Sequence, residues 1–146
     1  MNKLILTFLA TLFFSFTCLG QEWFTDFDQA IQQAKETNTP VILVFQGSDW
    51  CAPCIRLDRE VWGTEAFITY AKDHYVMLQA DFPRKKQNAL QEAQQNANNQ
   101  LAEKYNSNGI FPFVVVLDKA GKVLLQTGYK GMSPEEYIAH LESYKT

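Results

Sequence analysis

Apolar positions fall at helical and strand spacings in alternating blocks along this chain. Phe24, Phe27, Ile31 and Ala34 are separated by 3, 4 and 3 residues, which predicts a helix over Trp23–Asn38. Thr39-Pro40 ends it, because the residue before a proline disfavours the α conformation. Val41-Ile42-Leu43-Val44-Phe45 is a continuous apolar run rich in β-branched residues, the pattern of a strand buried on both faces. Gln46–Trp50 reads as a loop. Cys51–Val61 can form a helix that breaks at Gly63, and Thr64 caps a further helix to His74. Tyr75–Ala80 is a second strand, closed by Asp81-Phe82-Pro83.

Arg84–Tyr105 is rich in Gln and Asn, yet Leu90, Ala93, Ala97, Leu101 and Tyr105 recur at 3, 4, 4 and 4 residues. That narrow stripe predicts an amphipathic helix rather than a low-complexity linker. Phe113–Leu117 is a third strand, Asp118–Gly121 a hairpin turn, and Lys122–Thr127 a fourth strand. A last helix opens at Ser133-Pro134-Glu135-Glu136, with Ser133 as N-cap, Pro134 in the first turn and Glu136 closing a capping box. Helices alternating with strands predict an α/β domain with a parallel sheet core and helices on both faces. The closing hairpin makes that sheet mixed.

The first twenty residues read differently. Lys3 is followed by Leu4–Leu19 without a charge, and Cys18 and Gly20 stand at −3 and −1 of a cut before Gln21. This is the pattern of a secretory signal peptide, so residues 1–20 are assigned to a leader and 21–146 to one domain. An uncleaved anchor is the competing reading, since about 20 apolar residues span a bilayer. A lipoprotein with Cys18 as the modified residue is a third, although Ser15-Phe16-Thr17 matches such sites poorly. The expected location is periplasmic or secreted.

Composition narrows the function. The 146 residues carry 13 Lys+Arg and 16 Asp+Glu, for a charge of −3, and 47% are apolar. A disordered chain is excluded by the apolar fraction. A nucleic-acid binder is disfavoured by the acidic balance. Removing Lys3 with the leader takes the charge to −4. Two cysteines, Cys51 and Cys54, then remain, in a compartment where disulfides persist.

Those two carry the candidate chemistry. Trp50-Cys51-Ala52-Pro53-Cys54 follows the buried strand and opens a helix. Cys51 sits at the helix N-terminus, where free N–H groups and the dipole stabilise a thiolate. Cys54 lies three residues on, on the same face. Pro53 in the first turn forfeits no helical hydrogen bond. Three readings fit the pair. A zinc site needs about four ligands, and His74 and His140 stand at no metal-binding spacing, so no metal is expected. An inert structural disulfide closing so short a loop stabilises little. Redox catalysis is preferred, because the pair sits between a strand and a helix. Cys51 would attack a substrate disulfide, and Cys54 would resolve the mixed disulfide.

Trp50-Cys51-Ala52-Pro53-Cys54 differs by one residue from the Trp-Cys-Gly-Pro-Cys site of thioredoxins. Gly109-Ile110-Phe111-Pro112-Phe113 resembles the thioredoxin segment that holds a cis-proline. Asp118–Lys122 and Thr127-Gly128-Tyr129 resemble that family's hairpin and the glycine after it. From about Trp23 onward the chain is similar to secreted bacterial thioredoxin-like proteins with an enlarged helix after the second core strand. The resemblance implies a thioredoxin fold whose four-stranded mixed core sheet has order 4-3-1-2, with strand 3 antiparallel. It implies Cys51 as nucleophile, Cys54 as resolving thiol, Ala52 and Pro53 as spacer, and a substrate groove formed by Trp50, Phe111 and cis-Pro112.

Two departures stand out. Phe45 occupies the place of the family's buried Asp, and Met77 that of the Lys expected to partner it. Asp58, one turn past Cys54, could substitute as proton acceptor, although an exposed, solvated Asp is the preferred reading, and Glu60 is a similar outside candidate. Asp49 adds a negative charge beside Cys51 that opposes a thiolate, partly offset by Arg56 and Arg59. Trp23, Trp62, Phe67 and Phe82 read as core.

The expected function is an extracytoplasmic thiol–disulfide oxidoreductase acting as a reductant, since Ala52-Pro53 supplies no charge to hold the thiolate. The alternatives are an oxidase or isomerase, or a binding module with a vestigial Cys pair. The redox-active Cys51–Cys54 disulfide would be the whole redox equipment, with no separate cofactor. Expected partners are protein disulfides or dithiols and an unidentified electron donor. No nucleic acid is expected, and no membrane unless the leader is uncleaved or lipidated. A monomer is expected.

Overall fold

The computed structural model describes residues 20–146; the leader reading falls almost wholly outside them. Five strands and five helices follow one another: β1 Trp23–Phe24, α1 Phe27–Thr37, β2 Val41–Gln46, α2 Ala52–Leu57, α3 Glu65–His74, β3 Val76–Asp81, α4 Glu92–Tyr105, β4 Phe113–Leu117, β5 Val123–Thr127 and α5 Pro134–Leu141. The sheet order is β1-β3-β2-β4-β5. Strand β2 runs parallel to β3, with Val41 opposite Val76, and antiparallel to β4, with Val41 opposite Leu117. The four-stranded core matches the expected order with its antiparallel third strand.

The fifth strand is an addition. Trp23 and Phe24 pair in parallel with Met77 and Leu78 instead of opening α1. The reason is local: the Asp26 side chain accepts the Gln29 N–H at 2.8 Å and starts the helix after itself, as an N-cap does. The freed residues then cover the outer edge of β3, which would otherwise stand unpaired.

β2 is central in the sheet, and helices cover both of its faces, so its apolar run shows no alternation. One core layer joins Val41, Leu43 and Phe45 to Ala30, Ile31 and Ala34 of α1 and to Leu101 and Tyr105 of α4. The other joins Ile42, Val44 and Met77 to Leu57, Phe67, Ala71, Tyr137 and Leu141 from α2, α3 and α5. Trp62 stands edge-on to Phe67 (4.7 Å) and Tyr137 (5.4 Å), tying α3 to α5. The predicted capping box at Ser133 and Glu136 is present.

Two helices depart from expectation. Beyond Leu57 the Cys-bearing helix widens into a π-helical turn over Asp58–Trp62, with the Gly63 N–H donating to the Asp58 carbonyl at 2.7 Å. The segment Arg84–Gln91 is a loop holding one 3₁₀ turn, Lys86–Asn88, so α4 starts only at Glu92. The buried face of α4 is also rotated from the predicted stripe. Ala93 and Ala97 are exposed, and Asn98, Leu101 and Tyr105 are buried. Asn98 can go inside because its amide donates to the Asp81 carbonyl at 2.9 Å and its own carbonyl accepts from Gln94, which removes the penalty of burying it.

Candidate active site at the tip of the second helix

The site lies beyond the carboxyl ends of the parallel strands β2 and β3, where open α/β sheets place their ligands. The loop from β2 is tied on both sides. Its Ser48 N–H and hydroxyl donate to the Asp81 carboxylate at 2.9 and 2.6 Å. The Cys51 N–H returns to the Gly47 carbonyl at 2.9 Å, which turns the chain into α2.

Cys51 is the N-cap of α2 and has extended backbone angles. Its Sγ accepts the Cys54 N–H at 3.3 Å, and its carbonyl takes the first helical bond, from Ile55. The sulfur therefore occupies the place where a capping oxygen usually sits, facing unpartnered helix amides. Pro53 lies in the first turn. Cys51 and Cys54 form a disulfide with Cα atoms 5.2 Å apart, inside the usual range. Both residues are only 4% exposed, so in the oxidised form Cys51 is no more open to solvent than Cys54.

Trp50 roofs the site. Its indole N–H donates to the Phe82 carbonyl at 2.7 Å, its ring stands edge-on to Phe111 at 5.5 Å, and the Arg84 guanidinium lies 3.6 Å above it. Phe82 in turn meets Phe111 at 5.5 Å. Phe82 is half-buried, packs against the α1–α4 core layer as its core reading requires, and also forms part of the aromatic wall. The Phe111–Pro112 peptide is cis, and Pro112 is buried. Its approach is shaped by Asn106, 4% exposed, whose side chain donates to the Ile110 carbonyl (2.8 Å) and accepts the Ile110 N–H (3.0 Å). The glycine after β5, Gly128, leaves room for Pro112: a Cβ there would lie 3.2 Å from the proline carbonyl. Trp50, next in the chain to Cys51, thus meets Phe111, which precedes cis-Pro112.

Of the acidic residues near the motif, Asp49 has the most partners. Asp49 accepts the Arg84 N–H and Lys85 N–H, each at 2.9 Å, and the Asn88 side-chain amide at 3.0 Å. The Arg84 amide above all, with the Asn88 amide, holds its carboxyl below the usual range. Its charge is spent on anchoring the loop after β3. Asp58 is exposed on the far part of the helix. Glu60 accepts from the Tyr129 hydroxyl and pairs with Arg59 at 3.2 Å, and the Tyr129 bond lowers its pKa, making it a weaker base. The buried polar residues among those described are Asn98, Asn106 and Thr127, with no carboxylate.

The structure also corrects the expected Phe45–Met77 relation. Both are fully buried, but Phe45 faces the α1–α4 layer and Met77 the α2–α3–α5 layer. The residue opposite Phe45 on β3 is Ala80. No charged pair could span these two positions, because adjacent residues of a strand point to opposite faces and Met77 sits an odd number of places from Ala80. Gly47, Phe82, Arg84 and Asn106 were not singled out as site residues. Only the Gly47 turn left a local signal in the sequence.

Comparison with known proteins agrees with this geometry. The chain is 32% identical over 115 residues to disulfide bond reductase DsbH of Chlamydia pneumoniae, covering 79% of this chain and 68% of that protein. It is 27% identical over 109 residues to the thioredoxin-related protein DsbJ of the same organism, covering 75% of this chain but only 30% of DsbJ. The solved structure of a DsbH oxidoreductase superposes with a TM-score of 0.78 at 30% identity, covering 86% of this chain and 84% of that one. The model of the thioredoxin-like domain matches residues 27–145, from the start of α1 to the C-terminal turn, and the chain belongs to that family.

Proposed function

We propose that this protein is an extracytoplasmic thiol–disulfide oxidoreductase that reduces protein disulfides through Cys51 and Cys54. The observation that carries the reading is the Cys51 sulfur seated as the N-cap of α2, where the helix amides favour its thiolate. The Cys51 thiolate attacks one sulfur of a substrate disulfide. A mixed disulfide forms and the other substrate sulfur leaves as a thiolate. That thiolate is the base at hand for the Cys54 thiol. Deprotonated Cys54 then attacks the Cys51 sulfur, expelling the second substrate sulfur and leaving the Cys51–Cys54 disulfide. A separate dithiol donor resets the pair.

The groove supports a polypeptide substrate. Phe111, beside Pro112, is placed to offer its backbone to an extended chain, in strand-addition fashion, with its ring and Trp50 as apolar walls. The uncharged Ala52-Pro53 spacer favours the reducing direction, as does the name of the 32% identical relative. The leader pattern of residues 1–20 supports the extracytoplasmic location.

The test is a turnover assay with dithiothreitol and a protein disulfide. Cys51→Ser should abolish reduction, and Cys54→Ser should accumulate mixed disulfides. Alkylation of the reduced protein at mildly acidic pH should label Cys51 first. Faster labelling of Cys54 would reverse the assigned roles, and no turnover by the intact pair would refute the enzyme reading.

A further inference from the structure

The loop after β3 holds a run of three cations, Arg84-Lys85-Lys86, in a chain that is acidic as a whole. All three residues are exposed. The ion pairs among the described residues are Arg59–Glu60 and Lys145–Glu142, so none of the three is neutralised in that way. Their position is fixed from below. Asp49, two residues before Cys51, accepts the backbone amides of Arg84 and Lys85 and the Asn88 side chain. At Arg84 and Lys85 the anchor takes main-chain amides, so their charged side chains are not used in it. The Arg84 guanidinium lies over the Trp50 ring at 3.6 Å, and Trp50 contacts Phe111. Arg84 therefore continues the aromatic wall of the groove, with Lys85 and Lys86 exposed next to it in the chain.

We propose that this tract makes the groove select polypeptides carrying acidic residues beside the target disulfide, which deepens and rests on the oxidoreductase reading above. The complementarity is electrostatic. A like-signed cluster at the mouth of a cleft raises the local concentration and on-rate of oppositely charged partners by about 10–10³-fold, and salt suppresses the effect. A substrate with basic flanks meets the same field with the opposite sign.

The test mixes the prereduced, desalted protein with three disulfides. Two are peptides of equal length with an intrachain cystine, flanked by Asp/Glu in one and by Lys in the other. The third is uncharged hydroxyethyl disulfide. Each reaction transfers two electrons and two protons from the protein dithiol, so its rate is read without an electron donor. At low salt the acidic peptide should react about tenfold or more faster than the basic one, a ratio that shrinks as salt rises. Lys85→Glu/Lys86→Glu should collapse or invert that ratio, with the hydroxyethyl disulfide rate as internal reference. Equal peptide rates in the native protein would overturn the proposal, and so would a variant that slows all three disulfides alike. Retention on phosphatidylglycerol vesicles without peptide preference would assign the tract to a membrane surface and overturn it too. If the peptides are not discriminated but hydroxyethyl disulfide reacts, the oxidoreductase reading stands alone. If none of the three is reduced, both fall.

Discussion

Gly47 is where the tertiary structure makes its sharpest demand on one small residue. Its backbone is not left-handed, so an alanine meets no conformational strain there. The demand comes from Trp50: a Cβ on Gly47 would lie 2.2 Å from Cε2, 2.4 Å from Nε1 and 2.6 Å from Cζ2 of the indole. These atoms belong to a rigid ring held by three contacts, so Gly47→Ala must swing the ring away. The hydrogen bond to the Phe82 carbonyl contributes about 0.5–1.5 kcal/mol. The edge contact with Phe111 adds about 0.5–1.5 kcal/mol, and the Arg84 stack about 0.5–1 kcal/mol. Alanine returns about 0.4–1 kcal/mol by restricting the unfolded chain. The net expectation is a destabilisation of roughly 1–3 kcal/mol, within the range of strongly felt point mutations. Urea unfolding of the oxidised protein, followed by circular dichroism, measures it. The decisive control is Trp50→Ala, which removes the obstacle. In that background Gly47→Ala should be neutral or slightly stabilising, a coupling a double-mutant cycle reports directly. An equal cost of Gly47→Ala with and without Trp50 would refute the reasoning.

Three further outcomes follow from the geometry. Asp49 has a folded pKa below its ordinary value of 3.8, chiefly through the Arg84 amide; the stability it adds is present above the unfolded value and lost as pH falls through the folded one. Hydrogen exchange of the Arg84 and Lys85 amides should accelerate, relative to neighbouring loop amides, only below about pH 4. Protection that already declines near pH 6 would show that another group anchors the loop. Phe45→Asp places a lone carboxylate in a fully buried apolar layer, so it should cost about 3–5 kcal/mol at pH 7. The cost should be smaller at pH 5, because burial raises that carboxyl's pKa; a urea midpoint within 0.2 M of the native value, an approximate detection limit for such shifts, would mean that water reaches the site. For a reductant, the potential of the Cys51–Cys54 pair should lie near the thioredoxin value of about −270 mV. Equilibration with glutathione buffers measures it, and a value near about −120 mV would mark an oxidase.

Periodicity alone specified the alternation of helices and strands, the double burial of β2 and the capping box at Ser133, because each depends on residues within a turn or two of one another. The Cys51–Cys54 spacing between strand and helix already located the chemistry, since cap position and side-chain face are local properties. The start of α1 is not legible in the periodicity because an Asp26 cap competes with a periodic pattern that runs through it, and the edge of β3 rewards the extended alternative. The buried face of α4 is not legible in the stripe because Asn98 reads as polar; the distant Asp81 carbonyl, with Gln94 on the same helix, makes its burial tolerable. Phe45 and Met77 looked like a vacated pair along the sequence, but strand register assigns them to opposite core layers. The roof over the cysteines brings together residues from three separate loops: Gly47, Asp49 and Trp50; Phe82 and Arg84; and Phe111. Nothing in their sequence spacing encodes that meeting. It arises because the carboxyl ends of β2 and β3 lie beside the start of antiparallel β4, and contacts between strand ends are set by sheet order, a long-range property that local patterns do not carry.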